Sequence, residues 1–441
     1  MLSILKFKIT KSDFLSFLLA LLPLSFIAGN TIINGNILLI IISALFFYKT
    51  EIFKIQYFLL DKILIIFFIL ILFTGILNDI IIGIHYKELS SWKGYFSTTE
   101  KSFFFLRYLI LYFVLRFLVE KGNVSLKYFF ITSTFFSLFV CFDIFYQSYF
   151  GKDIFGYMSS GRKLSGPFDD ELIAGSYIQR FSLFAFILIP FLNLKVSNKI
   201  FTVTFLLLIL FYFAGIILSG NRMPLILFLL SIGLMLLLQK EFRKFLLPFF
   251  FIFLVSFFLI YNLSTPVKNN FNNFKNQIIR MTEQVAKQDF SNKETPQHLK
   301  EFSTFYQTWL MNKYVGGGIK NFRYYCHERP KLDKNSQFIC NMHPHNYYLE
   351  ILTETGIIGF LLIFFTFLNV FYISFKKNFL GEKFYLDYFS LIPLKFLFLV
   401  EIFPIKSTGS FFTTGNASYL FLILPILVAL SRKKHLSKNN S

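Results

Sequence analysis

The chain has 441 residues, of which 55% are hydrophobic and 15% are charged, and its mean hydropathy is +0.60. A soluble domain of this length could not stay in solution with such a composition, so soluble enzymes and binding modules are excluded. The formal net charge of +20 would suggest a nucleic-acid partner in a soluble protein. Here the basic residues lie between apolar runs, so they indicate membrane topology and not nucleic-acid binding.

Apolar runs long enough to cross a hydrocarbon core of about 30 Å recur along the whole chain. Such runs must be helical, because nothing in lipid satisfies free backbone amides. The sequence therefore predicts an all-α, polytopic transmembrane helix bundle of about twelve spans. The predicted spans are 14–30, 37–48, 63–84, 103–119, 126–146, 172–192, 200–218, 224–239, 245–263, 346–375, 385–403 and 419–430.

The basic residues fall mostly on one side of this bundle. With the N-terminus in the cytoplasm, about twenty-one of them lie inside and roughly eight lie in short outer loops, as the positive-inside rule expects. Both termini are therefore predicted to be cytoplasmic, and the first apolar run is interpreted as a retained signal anchor. We divide the chain into N-terminal spans (1–160), a catalytic region (161–375) and C-terminal spans with a basic tail (376–441).

One polar loop, 264–345, is far too long to be a simple connector. The predicted topology places it outside the cytoplasm. Within it, Ile278, Ile279, Met281 and Val285 follow roughly helical spacing. We therefore expect short amphipathic helices that lie on the membrane. The alternative is a solvated linker.

Cys326 and Cys340 both lie in this outer loop, whereas the third cysteine lies in an apolar span. Two thiols in an oxidising compartment predict a disulfide that holds the segment before the histidines at 343 and 345. The alternative is a zinc site. Its ligands would come from Cys326, His327, Cys340, His343 and His345. Their spacing does not match the common zinc-binding patterns, so no metal is predicted.

The strongest polar constellation is the run from His343 to Asn346, where the tenth span begins. Asn346 can cap that helix, and the positive end of the helix dipole disfavours a protonated imidazole. His345 is therefore predicted to stay neutral and to act as a general base. Further along the span, Gly356 and Gly359 would let another helix approach closely.

A second constellation, Ser219-Gly220-Asn221-Arg222-Met223-Pro224, separates two apolar runs on the outer side. Pro224 suits the first turn of a helix, so Arg222 would lie at a helix N-terminus. An arginine in that position can clamp a phosphate by its geometry and charge. The alternative is an interfacial arginine that reaches toward lipid headgroups.

A third cluster runs from Arg162 to Glu171 and leads into the sixth span, which carries Arg180. Charges inside a span are costly, and they usually pair with one another or line a functional cavity. Arg180 would either neutralise a ligand phosphate or form an ion pair. The candidate partners are Asp143, Asp79 and Glu354. Lys395 and Glu401 in the eleventh span raise the same question.

Fingerprints of phosphate loops, dinucleotide sites and ATP sites are absent from the sequence, as are a Ser-His-Asp nucleophile elbow and an acidic metal-binding run. A group-transfer enzyme that lacks these motifs needs a donor whose leaving group is already activated. A lipid pyrophosphate is such a donor, because its leaving group is a stabilised anion once arginines neutralise it. No cofactor is therefore predicted.

The constellations resemble a known family, the O-antigen ligase and O-antigen polymerase superfamily, over roughly 161–365. The segment Gly316 to Phe322 resembles the family's glycine-rich stretch, and Gly220 with Arg222 matches its small-Gly-x-Arg motif. The histidine motif is the most specific part of the resemblance. It consists of His345, Asn346, Leu349, Leu352, Glu354, Gly356 and Gly359.

The resemblance implies a GT-C-like bundle whose periplasmic cavity holds an undecaprenyl-pyrophosphate-linked glycan. It implies that His345 is the base and that Arg222 is the main clamp on the pyrophosphate, with Arg162 and Arg180 as further clamps. Ligases of the family carry another arginine ahead of the glycine-rich stretch. In this chain that region holds His298 and Lys300, either of which would substitute for it.

The predicted function is that of a metal-independent, inverting glycosyltransferase in the bacterial inner membrane, with a periplasmic active site. Its acceptor would be the lipid A core in a ligase or a growing glycan in a polymerase, and these two alternatives stay open. The resemblance also leaves room for other polysaccharide-assembly proteins as partners. Functions of other classes are a polysaccharide flippase or exporter and a non-catalytic scaffold of an assembly complex. An exporter would usually show two similar halves and short outer loops.

Overall fold

A computed structural model describes residues 10–85, 96–158, 163–287, 297–326, 340, 345–380, 388–406 and 409–438. About 80% of these residues are helical. In the residues just given there is no β-strand, and Lys152 and Met158 form an isolated bridge. The prediction of an all-α polytopic bundle is therefore confirmed.

The described part of the chain forms eighteen α-helices. They are α1 (Lys11–Ala20), α2 (Leu22–Ala28), α3 (Asn30–Tyr48), α4 (Leu59–His85), α5 (Ser97–Phe105), α6 (Arg107–Glu120), α7 (Leu126–Phe150), α8 (Ala174–Phe181), α9 (Leu183–Phe191), α10 (Asn198–Leu218), α11 (Arg222–Leu238), α12 (Leu246–Leu263), α13 (Thr265–Lys287), α14 (Gln297–Trp309), α15 (Phe322–Tyr325), α16 (Tyr347–Leu380), α17 (Tyr388–Glu401) and α18 (Thr414–Lys438).

Ten helical stretches among the described residues are long and apolar enough to cross a membrane. The second predicted span, 37–48, begins earlier than expected and belongs to the stretch Asn30–Phe53. The predicted eighth and eleventh spans correspond to α11 and α17, which have 17 and 14 residues in the described chain. Both are shorter than the roughly 20 residues that a straight crossing needs.

The bundle has an inner and an outer layer of helices. In α18, 83% of the most apolar window is buried by protein, and this helix packs against α6, α16 and α17. In the stretch Arg243–Leu263, which contains α12, only 11% is buried. A helix that is apolar on all sides must face either a protein core or lipid. The two helices therefore represent the centre and the lipid-facing edge of the bundle.

A group of buried charges ties α4 to α6. Arg116 of α6 is fully buried and forms ion pairs with Asp61 of α4 and with Glu120. The hydroxyl of Tyr112 donates a hydrogen bond of 2.7 Å to the same aspartate. We call Arg116, Asp61, Glu120 and Tyr112 the Arg116 cluster. Such groups tolerate burial only because they pair with one another.

The glycine-rich stretch before the histidine motif docks into a break in α16. Gly356 has φ +66° and ψ −174°, so the helix is interrupted there. The loop fills the break, because the N–H of Gly318 donates to the carbonyl of Glu354 at 2.8 Å and Ile357 donates to Lys313 at 2.9 Å. A Cβ on Gly356 would collide with the carbonyl of Tyr314. The prediction that Gly356 admits another helix is therefore wrong, since it admits an extended loop.

Gly359, one turn later, does allow a helix to approach, because Leu70 of α4 lies 3.4 Å from where its Cβ would be. The two glycines of the motif thus have different packing roles. Gly356 has a positive φ that other residues rarely adopt, and it leaves space for the backbone of the glycine-rich loop. Gly359 leaves space for the side chain of Leu70 from a neighbouring span.

The long polar loop is largely helical in its described part, as α13, α14 and α15 show. This contradicts the alternative of a solvated linker. Cys326 and Cys340 are joined in a disulfide, and Cys326 packs with Phe305 and Phe322. A bond between these two sulfur atoms removes both thiolates from the alternative zinc site. His327 and His343, which that site would also need, lie outside the described residues.

Candidate functional site

A cavity of about 1190 Å³ gathers most of the predicted site residues. Its walls come from the junction of α2 and α3, the segment before and within α8, the start of α11, one face of α13 and the first turns of α14. The two residues before α16 and the chain between α17 and the start of α18 complete them. Arg180, Gly220, Arg222, His345 and Asn346 all line it. Motifs that are more than 100 positions apart in the sequence therefore share one site.

The turn that presents Arg222 depends on two glycines. Gly220 has φ +71°, and Arg222 is the first residue of α11. The side chain of Asn221 accepts the N–H of Gly175 at 3.1 Å and donates to the carbonyl of Leu172 at 3.2 Å. A Cβ on Gly175 would lie 2.7 Å from that of Asn221. The absence of a side chain on Gly175 therefore lets α8 approach the turn.

Two neutral amides of α13 orient the guanidinium of Arg222. Its Nε donates to Oδ1 of Asn270 and its Nη1 donates to Oε1 of Gln277, both at 2.7 Å. The Asn270 amide also donates to the carbonyl of Gly220 at 3.1 Å, and the Phe274 ring centre lies 5.3 Å from the guanidinium carbon. These groups fix the arginine at the cavity wall without adding formal negative charge.

His345 lies two residues before the first residue of α16 and is half-buried. Its φ is +53°, a left-handed conformation that histidine adopts more readily than most residues do. Asn346 accepts the N–H groups of Tyr348 and Leu349 at 3.0 and 3.1 Å. The prediction that Asn346 caps this helix is therefore confirmed, and the imidazole lies at the positive end of the helix dipole.

Arg180 belongs to a second group of buried charges, at the wall of the cavity. Its guanidinium forms two hydrogen bonds with the carboxylate of Glu401, at 2.7 and 3.2 Å. Lys406 donates to the same carboxylate at 2.7 Å, and the hydroxyl of Tyr347 also binds it. We call Arg180, Glu401, Lys406 and Tyr347 the Arg180 cluster. Two cations share one carboxylate in it, so one positive charge is left over.

The partner of Arg180 differs from every partner that we considered for it. Asp79 instead accepts the N–H groups of Thr98 and Thr99, and Asp143 accepts the N–H of Ile154. The carboxylate of Glu401, in the eleventh predicted span, takes the place expected for one of them. The expectation that Arg180 pairs with Asp143, Asp79 or Glu354 is therefore wrong.

Lys406 is a site residue that the sequence interpretation missed. It lines the cavity together with Arg180, and 6% of its side chain is exposed. Burial lowers the pKa of Lys406 to about 8, although the carboxylate of Glu401 favours the charged form. The sequence could have indicated Lys406 as a site residue, because it follows the outer end of a predicted span that already contains charged residues.

Two of the predicted residues lie away from the cavity lining, and for two others the side chains lie outside the described part of the chain. Glu354 is buried beside the glycine-rich loop, away from the cavity lining, and Lys300 of α14 is also buried outside that lining. His298 is the second residue of the same helix, but its side chain lies outside the described part of the chain. Arg162 lies outside the described residues as well, whereas its neighbour Lys163 lines the cavity.

Residues 182–364 match the family model described as O-antigen ligase. This segment is similar to O-antigen ligase, and we refer to it as the O-antigen ligase domain. The resemblance to the O-antigen ligase and polymerase superfamily is thereby confirmed. The match supports a ligase- or polymerase-type function in polysaccharide biosynthesis, and the family implies an enzyme of the glycosyltransferase type. Together with the apolar helices, it indicates a multi-pass membrane protein. No curated protein matches the chain.

The O-antigen ligase domain contains only part of the cavity wall. Arg222 and His345 lie within 182–364, whereas Arg180 and Lys406 lie outside it. The junction of α2 and α3 also contributes to the wall from the N-terminal spans. The cavity is therefore assembled from the domain and from helices on both sides of it in the chain.

Proposed function

We propose that the protein transfers a glycan from a lipid pyrophosphate, such as undecaprenyl pyrophosphate, to a sugar hydroxyl at the periplasmic face of the bacterial inner membrane. The product would be an O-antigen or another surface polysaccharide, as in lipopolysaccharide biosynthesis. One observation supports this proposal most directly: His345 lines the same cavity as four basic residues, which are Lys163, Arg180, Arg222 and Lys406. A base beside an anion-binding wall is what transfer from a pyrophosphate requires.

The proposed reaction proceeds by inversion at the anomeric carbon of the donor sugar. His345 accepts the proton of the acceptor hydroxyl, and the oxygen attacks that carbon from the side opposite to the leaving group. The bond from carbon to the pyrophosphate oxygen breaks, and both bonding electrons leave with the lipid pyrophosphate. Arg222 and the surplus charge of the Arg180 cluster stabilise the negative charge on that anion. The reaction as proposed needs no metal and no cofactor.

The anionic half of the donor fits the cationic wall in two ways. Arg222 lies at the first turn of α11, where unpaired backbone amides and the helix dipole also favour anions. The guanidinium is already oriented by Asn270 and Gln277, so little rotational freedom is lost when an anion binds. Arg162 remains a further proposed clamp beside Lys163.

The distribution of basic residues supports the orientation. The positive-inside pattern favours cytoplasmic termini, which would put the loop 264–345 and the mouth of the cavity on the periplasmic side. The acceptor would then be the lipid A core or a growing glycan chain. Both acceptors present sugar hydroxyls, so the same base would serve a ligase and a polymerase.

The test is transfer by the isolated full-length protein, supplied with lipid-linked glycan from its host. We expect His345→Ala and Arg222→Ala to lower the rate at least about a hundredfold, because each removes a group that acts in the transition state. The control is Arg243→Ala, which removes an exposed arginine next to α12. Supplying lipid A core and repeat units separately distinguishes a ligase from a polymerase. Near-normal transfer by either site variant would contradict the proposal.

A further inference from the structure

Part of the cavity wall is polar without being charged. Ser176, Gln179 and Arg180 of α8 all line the cavity, and their spacing puts them on one face of the helix. Asn30 lines the cavity from the first residue of α3, after the break at Gly29. Asn30, Ser176 and Gln179 lie outside the O-antigen ligase domain at 182–364. We call these three residues the amide wall.

The amide of Gln179 is desolvated without being satisfied. The residue is only 2% exposed, and within the described chain its Nε2 has no hydrogen-bond partner. The great majority of buried polar side-chain atoms in proteins do have a partner. A buried amide nitrogen that belongs to a cavity wall and has no partner in the described chain is explained most directly by a ligand atom that binds there.

The chemistry of the amide wall fits a sugar better than an anion. An amide offers both a donor and an acceptor, and a hydroxyl offers the same two functions, which match the hydroxyl and acetamido groups of a pyranose ring. Phe26, Phe168 and Tyr177 line the neighbouring surface and can cover the apolar face of such a ring. A phosphate would instead be bound by the guanidinium and ammonium groups of the same cavity.

The position of the amide wall is fixed relative to the Arg222 turn. The hydroxyl of Tyr177 donates to the carbonyl of Pro23 at 2.8 Å, which ties α8 to α2. The N–H of Gly175 donates to Asn221, which ties the start of α8 to the turn that precedes Arg222. Helix α8 is thus held between the N-terminal spans and the anion-binding wall.

We propose that the amide wall binds a sugar of the transferred glycan or of its acceptor, with Gln179 as the specificity-determining residue. This rests on the proposed function. It gives the N-terminal spans a role in sugar recognition through Asn30, while the base and the main clamp stay in the O-antigen ligase domain. The sugar source is open between donor and acceptor, since both carry the same groups.

The test is steady-state transfer by the full-length protein, with the lipid-linked donor and the acceptor varied in turn. Gln179→Met keeps the volume of the side chain but removes its hydrogen bonds. We expect it to raise KM about tenfold for the substrate whose sugar lies at the wall, as loss of one or two hydrogen bonds predicts. Ser176→Ala should raise the same KM by less. Inhibition by inorganic pyrophosphate should be unchanged in both variants.

The control is Ser182→Ala, which removes another buried polar group of this region that has no partner among the described residues and does not line the cavity. It should leave both KM values unchanged. A rise in only the donor KM or only the acceptor KM identifies the source of the sugar. Unchanged KM values in Gln179→Met, an equal rise in Ser182→Ala, or parallel loss of pyrophosphate inhibition would overturn the proposal. Absence of transfer by the unaltered protein would overturn this proposal and the proposed function together.

Discussion

The Arg116 cluster and the Arg180 cluster are both built on a fully buried or nearly buried arginine, yet they differ in charge balance. Arg116 pairs with two carboxylates, so its cluster has one surplus negative charge, and Arg432 on the Phe58 ring nearby supplies a second cation that brings this region close to neutral. The Arg180 cluster has two cations for one carboxylate. A buried arginine alone therefore does not indicate a binding role.

The two clusters also differ in what they face. Arg180 and Lys406 line the cavity, whereas the members of the Arg116 cluster are not among the lining residues. A neutral, enclosed group can only join helices together, because it has no charge left for a ligand. A cluster with surplus positive charge at a cavity wall gains stability when an anion binds. We therefore assign a structural role to the first and a binding role to the second.

The largest effect on stability is expected from Arg116→Ala. The change would leave Asp61 buried without its cation, which costs about 3–5 kcal/mol. We expect a clearly lower unfolding midpoint in detergent, and unchanged transfer per folded molecule. Arg243→Ala, an exposed site, should leave the midpoint within error. A loss of pyrophosphate inhibition in Arg116→Ala would show that the two clusters do not divide their roles as we propose.

A smaller effect, confined to binding, is expected from Lys406→Met. This change removes the surplus positive charge and leaves the Arg180–Glu401 pair in place. Inhibition by inorganic pyrophosphate should weaken about tenfold, which corresponds to about 1.4 kcal/mol. The unfolding midpoint should change little, because Glu401 keeps its ion pair with Arg180 and is therefore not left as an uncompensated buried charge. Unchanged inhibition would remove Lys406 from the proposed anion site.

The smallest and most specific effect concerns pH. The lowered pKa of Lys406, about 8, means that the ammonium is present below pH 8 and is lost as the pH rises through that value. Inhibition by pyrophosphate should therefore weaken between pH 7 and pH 9. Lys406→Arg keeps its charge over this range and should lose that part of the pH dependence, which also corrects for titration of pyrophosphate itself. If the inhibition had the same pH dependence in the unaltered protein and in Lys406→Arg, Lys406 would not be part of the anion site.

Local features of the fold could be predicted because they depend on residues close together in the chain. The capping role of Asn346 is an example, since its partners Tyr348 and Leu349 are two and three positions away. The position of Arg222 at the first turn of a helix is another, because Pro224 marks that turn. The packing role of Gly356 could not be predicted, because the loop that fills the break in α16 comes from a separate segment of the chain.

By itself, the sequence determined the all-α class, most of the spans and the motifs that match the O-antigen ligase domain. Lipid imposes these features, because it leaves helices as the only way to satisfy the backbone of a long apolar run. The pairing of Arg180 with Glu401, 221 positions away, and the contact of Lys406 with the same carboxylate could be seen only in the folded protein. The same holds for Nε2 of Gln179, which has no partner among the described residues. Those contacts depend on which helices pack together, and hydropathy is nearly the same for every possible arrangement of apolar spans.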